Sequence, residues 1–527
     1  MQTSDLAGVI RRTQRQSLGD LLWRSARRVP TRMALSCRDR SFTYAELDTA
    51  INYAANHLAS RGVRKGDRVA LLSHNNYEFV VMHFAIARLG AILVPINFML
   101  NAAEVAYILD HSEVVGLIVE DALLPTALSA LEGLNLRLAV RAVITDRAET
   151  IADDWQNVNN WINAGDGTVP DIDLAEDEPV HIMYTSGTES RPKGATLSTR
   201  NLVAQYVSCI IGGEMSAEDI EIHALPLFHC AQLHCFLMPG LYLGAKNFLL
   251  PGADPTLILE MIEREGATKL FCPPTVWISL LRHPDFERRD LTSLIKGYYG
   301  ASIMPVEIVK ELARRLPQLR LFNFYGQTEM SPNACVLKPE DQMRKLGAAG
   351  RPVVNVETGI VDEDDRPVPA GVVGEIVHRG PQVMMGYWKD PQRTAEAFRN
   401  GWFHSGDLGV MDEEGYLTVV DRKKDMIKTG GENVASREVE EIIYQHPAVA
   451  EAAVIGMPDP KWIERVTAVV VLRAGSVLTE DALIAHCRQR MAAFKTPKSV
   501  IFLPDLPRNA SGKLLKRELR QLLAIRD

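Results

Sequence analysis

Three observations predict an α/β protein of two unequal domains. Helices and strand-like runs alternate through the first hundred residues, short strands with Gly and Pro turns follow from about Gly347, and a fresh helix-and-strand unit begins after Asp421. Alternation of that kind implies parallel sheets with right-handed crossovers. The expected architecture is a large N-terminal domain (1–420) of two parallel-sheet α/β subdomains plus a small β-barrel, a short connection at 421–423, and a smaller α+β C-terminal domain (424–527).

In chain order, Thr43 and Glu46 form a capping box ahead of Leu47, Ile51, Ala54 and Leu58, apolar positions at helical spacing, and Gly62 closes that helix. RVALLS (68–73) reads as a strand. Phe79 to Leu100 is the one stretch that invites a transmembrane reading, but His83 and Arg88 interrupt it, Gly90 stops a helix and Pro95 sits in its second half. A buried helix followed by a buried strand accounts for it better. A polar, acidic stretch from Thr145 to Pro179 marks a subdomain boundary. Beyond it, apolar runs end in HIMY-TSGTESRPKG, KLFCPP, KGYYGAS and LFNFYGQTE. Ligands in open α/β sheets sit beyond the carboxyl ends of strands, so these run-ends are where chemistry is expected.

Composition narrows the function. With 58 Lys+Arg against 66 Asp+Glu the net charge is −8, so nothing draws the chain to a phosphate backbone, and no nucleic-acid partner is expected. The seven cysteines form no CxxC pair, which suits reduced thiols in the cytoplasm rather than a disulfide framework or zinc ribbon. The twin arginine Arg11–Arg12 is followed by no apolar segment, so an export signal is not expected.

The densest cluster of special residues is TSGTESRPKG (185–194). Glycines free its backbone, Thr185, Ser186 and Thr188 supply hydroxyls, and Lys193 adds a cation, so a loop of this composition after a strand can wrap a polyphosphate. It is not a Walker A loop, because Lys193 is followed by Gly194 rather than Ser or Thr. Alone it could equally be a flexible surface loop. It is accompanied, in order, by LPLFHC (225–230), YYGAS (298–302), NFYGQTE (323–329), GWFHSGDLG (401–409), VDRKKDMIKTGGENV (420–434) and PRNASGK (507–513). Together these resemble the adenylate-forming superfamily of acyl-CoA synthetases, peptide-synthetase adenylation domains and luciferases, and within it the carboxylic acid–CoA ligases. The resemblance covers essentially the whole chain.

That resemblance implies an AMP-forming acid–thiol ligase using ATP, Mg²⁺ and CoA. A carboxylate is a poor electrophile; joining it to AMP gives a mixed anhydride with a stable leaving group. The loop Thr185, Ser186, Gly187, Thr188 and Lys193 would hold phosphates. Gly300, Ala301, Ser302, Asn323, Tyr325 and Gly326 would surround the nucleotide, with Tyr325 against adenine. Thr328 would contact the α-phosphate, and Glu329, with Thr185, would ligate magnesium, which needs few carboxylates. Asp407 would accept the ribose hydroxyls, Arg422 would face ribose and phosphate, and Lys513 would meet developing negative charge. His229, Tyr298, Tyr299, Gly300, Gly326 and Gln327 are the implied acid pocket. Lys428, Gly430 and Gly431 are the implied CoA passage, reached when the C-terminal domain, mobile in this family, turns about a hinge at 421–423 centred on Asp421.

Nearby, His229, Cys230, His234 and Cys235 raise the question of a metal site, but the histidines do not share a helix face. Amino-acid-activating relatives usually carry an Asp near LPLFHC; here Phe228 and His229 stand there, and the apolar CAQLHCFLMPG that follows suits a fatty, aryl or alicyclic acid. Two departures stand out: Glu189-Ser190 replaces the usual Thr-Gly in the phosphate loop, and Ile463 occupies a place often filled by Gly on the CoA side. The alternatives are an adenylating enzyme that loads an acyl carrier protein and a silent nucleotide-binding protein. As assembly, a homodimer is the commonest form.

Overall fold

Local signals set the helix boundaries. Thr43 and Glu46 do cap the helix Tyr44–Ser60: the Thr43 hydroxyl accepts from the Glu46 amide at 3.2 Å and the Glu46 carboxylate accepts from the Thr43 amide at 2.8 Å. The tempting stretch after Tyr77 is a helix, Tyr77–Arg88, buried on every side, followed by the buried strand Ile92–Ile96. Among the described residues no helix is long and apolar enough to cross a membrane. The computed structural model describes residues 3–146, 154–185, 192–302, 304–508 and 514–524.

Two large sheets make the N-terminal part. In the first, of eight strands, Pro179–Thr185, Ile92–Ile96, Arg68–Leu72, Gly116–Glu120 and Val140–Ile144 run parallel in that order, with Lys193–Ser198 and Gly386–Tyr387 added antiparallel at one edge. In the second, of nine strands, the parallel centre is Arg320–Gly326, Lys296–Gly300, Lys269–Phe271, Ile220–His223, Lys246–Leu249 and Met33–Cys37. One continuous core joins them, with Leu71, Leu93 and Ile118 from the first sheet and Leu35, Phe271 and Phe322 from the second.

The glycine-punctuated segment departs from expectation. It forms a five-stranded antiparallel sheet, running from Glu357–Val361 through Gly374–Arg379 to Trp402–Met411, which pairs with both Phe398–Arg399 and Leu417–Arg422. Hydrogen bonding leaves it open rather than closed into a barrel, because its outer strands find no partners in each other. Sheet membership then changes between Arg422 and Ile427. Ile427–Thr429, Glu432–Val434, Val449–Asp459, Ile463–Leu472 and Ser499–Phe502 build a separate five-stranded sheet with its own core around Val454, Val466 and Ile443. Asp421 lies at this changeover, and its carboxylate accepts from the amide (2.7 Å) and hydroxyl (2.8 Å) of Ser436, the first residue of helix Ser436–Tyr444.

Charge is buried deep in the second sheet. Lys269 and Glu221, both fully enclosed, pair at 2.9 Å on adjacent strands. Removing one member strands the other in a medium that cannot solvate it, so Lys269→Ala is expected to destabilise the protein by about 3–5 kcal/mol. The check is a lowered thermal midpoint, with Lys269→Met and Glu221→Leu combined recovering much of the loss.

Candidate functional site

The carboxyl ends of the central strands of both sheets open into one cleft of about 840 Å³. Thr185 ends one strand, and Gly300 and Gly326 end two others. Both glycines are needed where they stand: an added Cβ would come within 2.4 Å of the Phe324 carbonyl oxygen at Gly300 and 1.9 Å of the Pro332 carbonyl oxygen at Gly326. The bare backbone lets the chain pass there. Seven Lys or Arg against five Asp or Glu line the cleft, a local excess of positive charge in a chain of net charge −8. Such a site favours a polyphosphate.

At one end Asp407, nearly buried, accepts from the Tyr325 hydroxyl at 2.9 Å and faces Arg422 at 3.4 Å. Asp407 lies within the long strand Trp402–Met411, directly opposite Arg422 on the paired strand. Burial and the Asp407 charge both push the Tyr325 phenol well above its ordinary range, so it stays a proton donor. The unit offers a rigid carboxylate beside an aromatic face.

A second line of bonds crosses the cleft. Glu329, on the short turn Thr328–Met330, accepts from the Tyr387 hydroxyl at 2.9 Å, and Lys193 Nζ lies 3.4 Å from that hydroxyl and 4.6 Å over the ring. Burial, then the neighbouring Glu329, holds the Tyr387 phenol protonated. Among the described residues no Lys, Arg or His pairs with Glu329 within 4.0 Å. A nearly buried carboxylate without a cationic partner, in a cleft shared with the Thr185 hydroxyl, fits magnesium, which takes few protein oxygens and completes its shell with phosphates and water. Tyr387 is absent from the sequence reading. Nothing in the surrounding Gly386-Tyr387-Trp388 (GYW) marks it; only the fold brings it to Glu329.

Thr328 is 3.2 Å from the Cys230 thiol, which burial pushes up to about 12. That thiol stays protonated and is no nucleophile at neutral pH. His229 lines the cleft, its Nδ1 accepting from the Ala231 amide at 3.2 Å. The residues after it form a π-helix, Ala231–Leu237, a geometry that recurs at functional sites. It aims Cys235 and Phe236 into the cleft while His234 turns away to His181 (3.0 Å) and Tyr206 (2.8 Å). The two histidines therefore serve different surroundings. Among the described residues no group of three His, Cys, Asp or Glu could hold a metal.

The acid-pocket expectation needs correcting at two residues. Tyr298 and Tyr299 do not line the cleft. Tyr298 is fully buried, donates to the Gly213 carbonyl at 2.5 Å and packs its ring against Phe236 and Phe324, which do line it. Tyr299 points to the other face of the sheet and donates to Gln342 at 3.0 Å. Strand alternation fixes opposite faces for neighbours but not how many layers separate a side chain from the pocket. Asn323 likewise holds the Ala348 carbonyl at 3.0 Å and is outside the lining, as is Ser302. Gly300, Ala301, Gly326 and Gln327 do line it, beside an apolar wall of Phe228, Phe236, Phe271 and Phe324.

Ser186, Gly187, Thr188 and Lys513, with Glu189 and Ser190, lie outside the described residues. Arg517, on the helix Lys516–Ala524, lines the cleft, as do Lys423 and Lys424. Lys428, Gly430 and Gly431 do not. Lys428 donates its amide to Glu464 (2.7 Å), and Gly430 donates to the Trp462 carbonyl (2.8 Å).

Residues 22–388 match the family model described as AMP-binding enzyme, and residues 438–513 match that of the AMP-binding enzyme C-terminal domain. The chain is 37% identical to a feruloyl-CoA synthase of an Amycolatopsis species (96% of this chain, 99% of that one) and 36% identical to an indoleacetate–CoA ligase of Aromatoleum aromaticum (96% and 98%). Its fold superposes on the anthranilate CoA ligase AuaEII, solved with anthranoyl-AMP, at a TM-score of 0.90 and 28% identity over 97% of this chain and 98% of that one. Motif order, cleft and full-length likeness agree: the chain belongs to the AMP-binding enzyme family of adenylate-forming ligases.

Proposed function

We propose that the protein couples an apolar carboxylic acid to AMP and passes the acyl group to CoA, and that the acid carries an aromatic or bulky alicyclic ring. The observation that carries this reading is the two-sided cleft. The polar end holds Glu329, Asp407, Arg422 and Lys193, and the same cavity continues into the wall of four phenylalanines. Aromatic side chains favour ring contacts edge to face or offset, so rings suit this wall better than a flexible chain. Relatives whose names specify feruloyl, indoleacetate and anthranoyl groups support the same class.

In the first half-reaction a carboxylate oxygen bonds to the α-phosphorus of ATP while the α–β bridging bond breaks and pyrophosphate leaves. Asp407 and Tyr325 orient the nucleoside, and Lys193 and Thr185 face the phosphates. Glu329 would hold magnesium, which would supply charge neutralisation on those phosphates. In the second, the CoA sulfur bonds to the acyl carbon, AMP leaves, and the thiol proton goes to solvent. No protein nucleophile is required, in keeping with the protonated Cys230. All seven cysteines are free and buried, which supports a reducing, cytoplasmic setting.

The test is acid-dependent ATP–pyrophosphate exchange across fatty, aryl and alicyclic acids, followed by trapping with CoA. Exchange best with ring-bearing acids, then acyl-CoA formation, is expected; release of orthophosphate and ADP would overturn the reading. Thioester on a carrier protein but not on CoA would move the acceptor to that protein.

Two variants probe the machinery. Lys513→Ala is expected to lower exchange at least ~100-fold while keeping thioester formation from synthetic acyl-adenylate; equal loss of both would refute two working poses. Tyr387→Phe removes a hydrogen bond to a buried carboxylate and is expected to slow exchange about tenfold, measured as kcat at saturating ATP, with the thioester step from acyl-adenylate spared.

A further inference from the structure

Ile463 opens the strand Ile463–Leu472 with φ +71°. Nine described non-glycine residues have positive φ, and Ile463 is the only β-branched one. A branched Cβ crowds its own backbone in that region, so its surroundings must hold it there. They do so from both sides. The Asp459 carboxylate accepts from the amides of Lys461 (2.9 Å) and Trp462 (3.0 Å), and Ile463 pairs with Asp459 and with Thr429. The Trp462 carbonyl accepts from Gly430, and its ring lies so close over Gly430 that an added Cβ there would come within 3.0 Å.

This locked turn presents an apolar side chain to solvent. Ile463 is 68% exposed, and among the described large apolar residues only Val477 is more so. It adds nothing to a core, and glycine would occupy the position without strain. Its placement is what distinguishes it: through its pairing with Thr429 it stands near Gly431, where, unlike at Gly430 under the Trp462 ring, an added Cβ would meet nothing within 4 Å, so there is room for a slender ligand.

We propose that Ile463 is an acceptor-selecting residue, its branched side chain narrowing the approach of the acceptor thiol past Gly431. This rests on the CoA-ligase reading above and names the residue that sets acceptor preference within it. Ile463, Thr429, Gly430 and Trp462 are all absent from the lining of the adenylation cleft, so the effect is confined to the second half-reaction.

Full-length Ile463→Gly and Ile463→Ala are compared with the unaltered protein, using an acid that supports exchange. Pyrophosphate exchange is expected to stay unchanged in both. The kcat/KM for CoA is expected to rise about tenfold in Ile463→Gly, and several-fold in Ile463→Ala, which keeps the backbone strain but removes the branched bulk. No rise, or a fall, in both variants overturns the proposal. A rise in Ile463→Gly alone assigns the effect to backbone relief and overturns it equally. Failure of the unaltered protein to catalyse exchange or form a thioester with any acid overturns the ligase reading itself, and the proposal with it.

Discussion

The segment Met384–Trp388 ties the two large sheets together at the one place where chemistry is expected. Its amides reach both ways: Met384 donates to the Glu329 carbonyl at 2.8 Å, at the end of the second sheet, and Met385 to the Thr196 carbonyl at 2.9 Å, in the first. The Tyr387 hydroxyl then bonds the Glu329 carboxylate itself. A carboxylate that is nearly buried keeps a defined direction only if something donates to it, and here the donor is fixed to the opposite sheet. The distance between Lys193 and Glu329 is thus set by sheet-to-sheet packing. Shifts in the core between the sheets would be felt at the phosphates.

How much of this was legible in sequence depends on the range of the signal. Capping at Thr43 and Glu46 needs only three residues of separation, and it was readable. The strand-end motifs around Thr185, Gly300 and Gly326 were readable too, because strand ends and glycines are local features. Tyr387 was not: it meets a residue 58 positions away, and nothing in GYW marks that encounter. Tyr298 and Tyr299 failed for a related reason, since their aromatic character suits a pocket wall and a core equally. The π-helix at Ala231–Leu237 was also hidden, because a wider turn leaves no compositional trace in so short a segment. The supposed barrel was a matter of closure, and closure depends on whether distant edge strands meet.

The cleft sorts its charge by layer. Ion pairs within the second sheet, such as Lys269–Glu221, are enclosed and matched. At the cleft surface the basic groups outnumber the acidic ones, and Glu329 lacks a cationic partner among the described residues. Enclosed pairs support the scaffold, and the surplus of basic groups at the cleft favours an anionic ligand. The phenylalanine wall beside it is backed by Tyr298, so a side chain with no access to the cavity still sets the angle of two that have it.

Asp421 belongs by hydrogen bonding to a strand of the N-terminal part, yet its carboxylate grips the first residue of a C-terminal helix through two bonds. The side chain acts as a clasp between the two units. Were the chain to turn here, Ser436 would have to be released or carried along with the peptide, and so would Arg437, which donates to the carbonyls of Val419 and Gly347. The joint would then behave as a catch with discrete stops, its stiffness residing in a few neighbouring side chains.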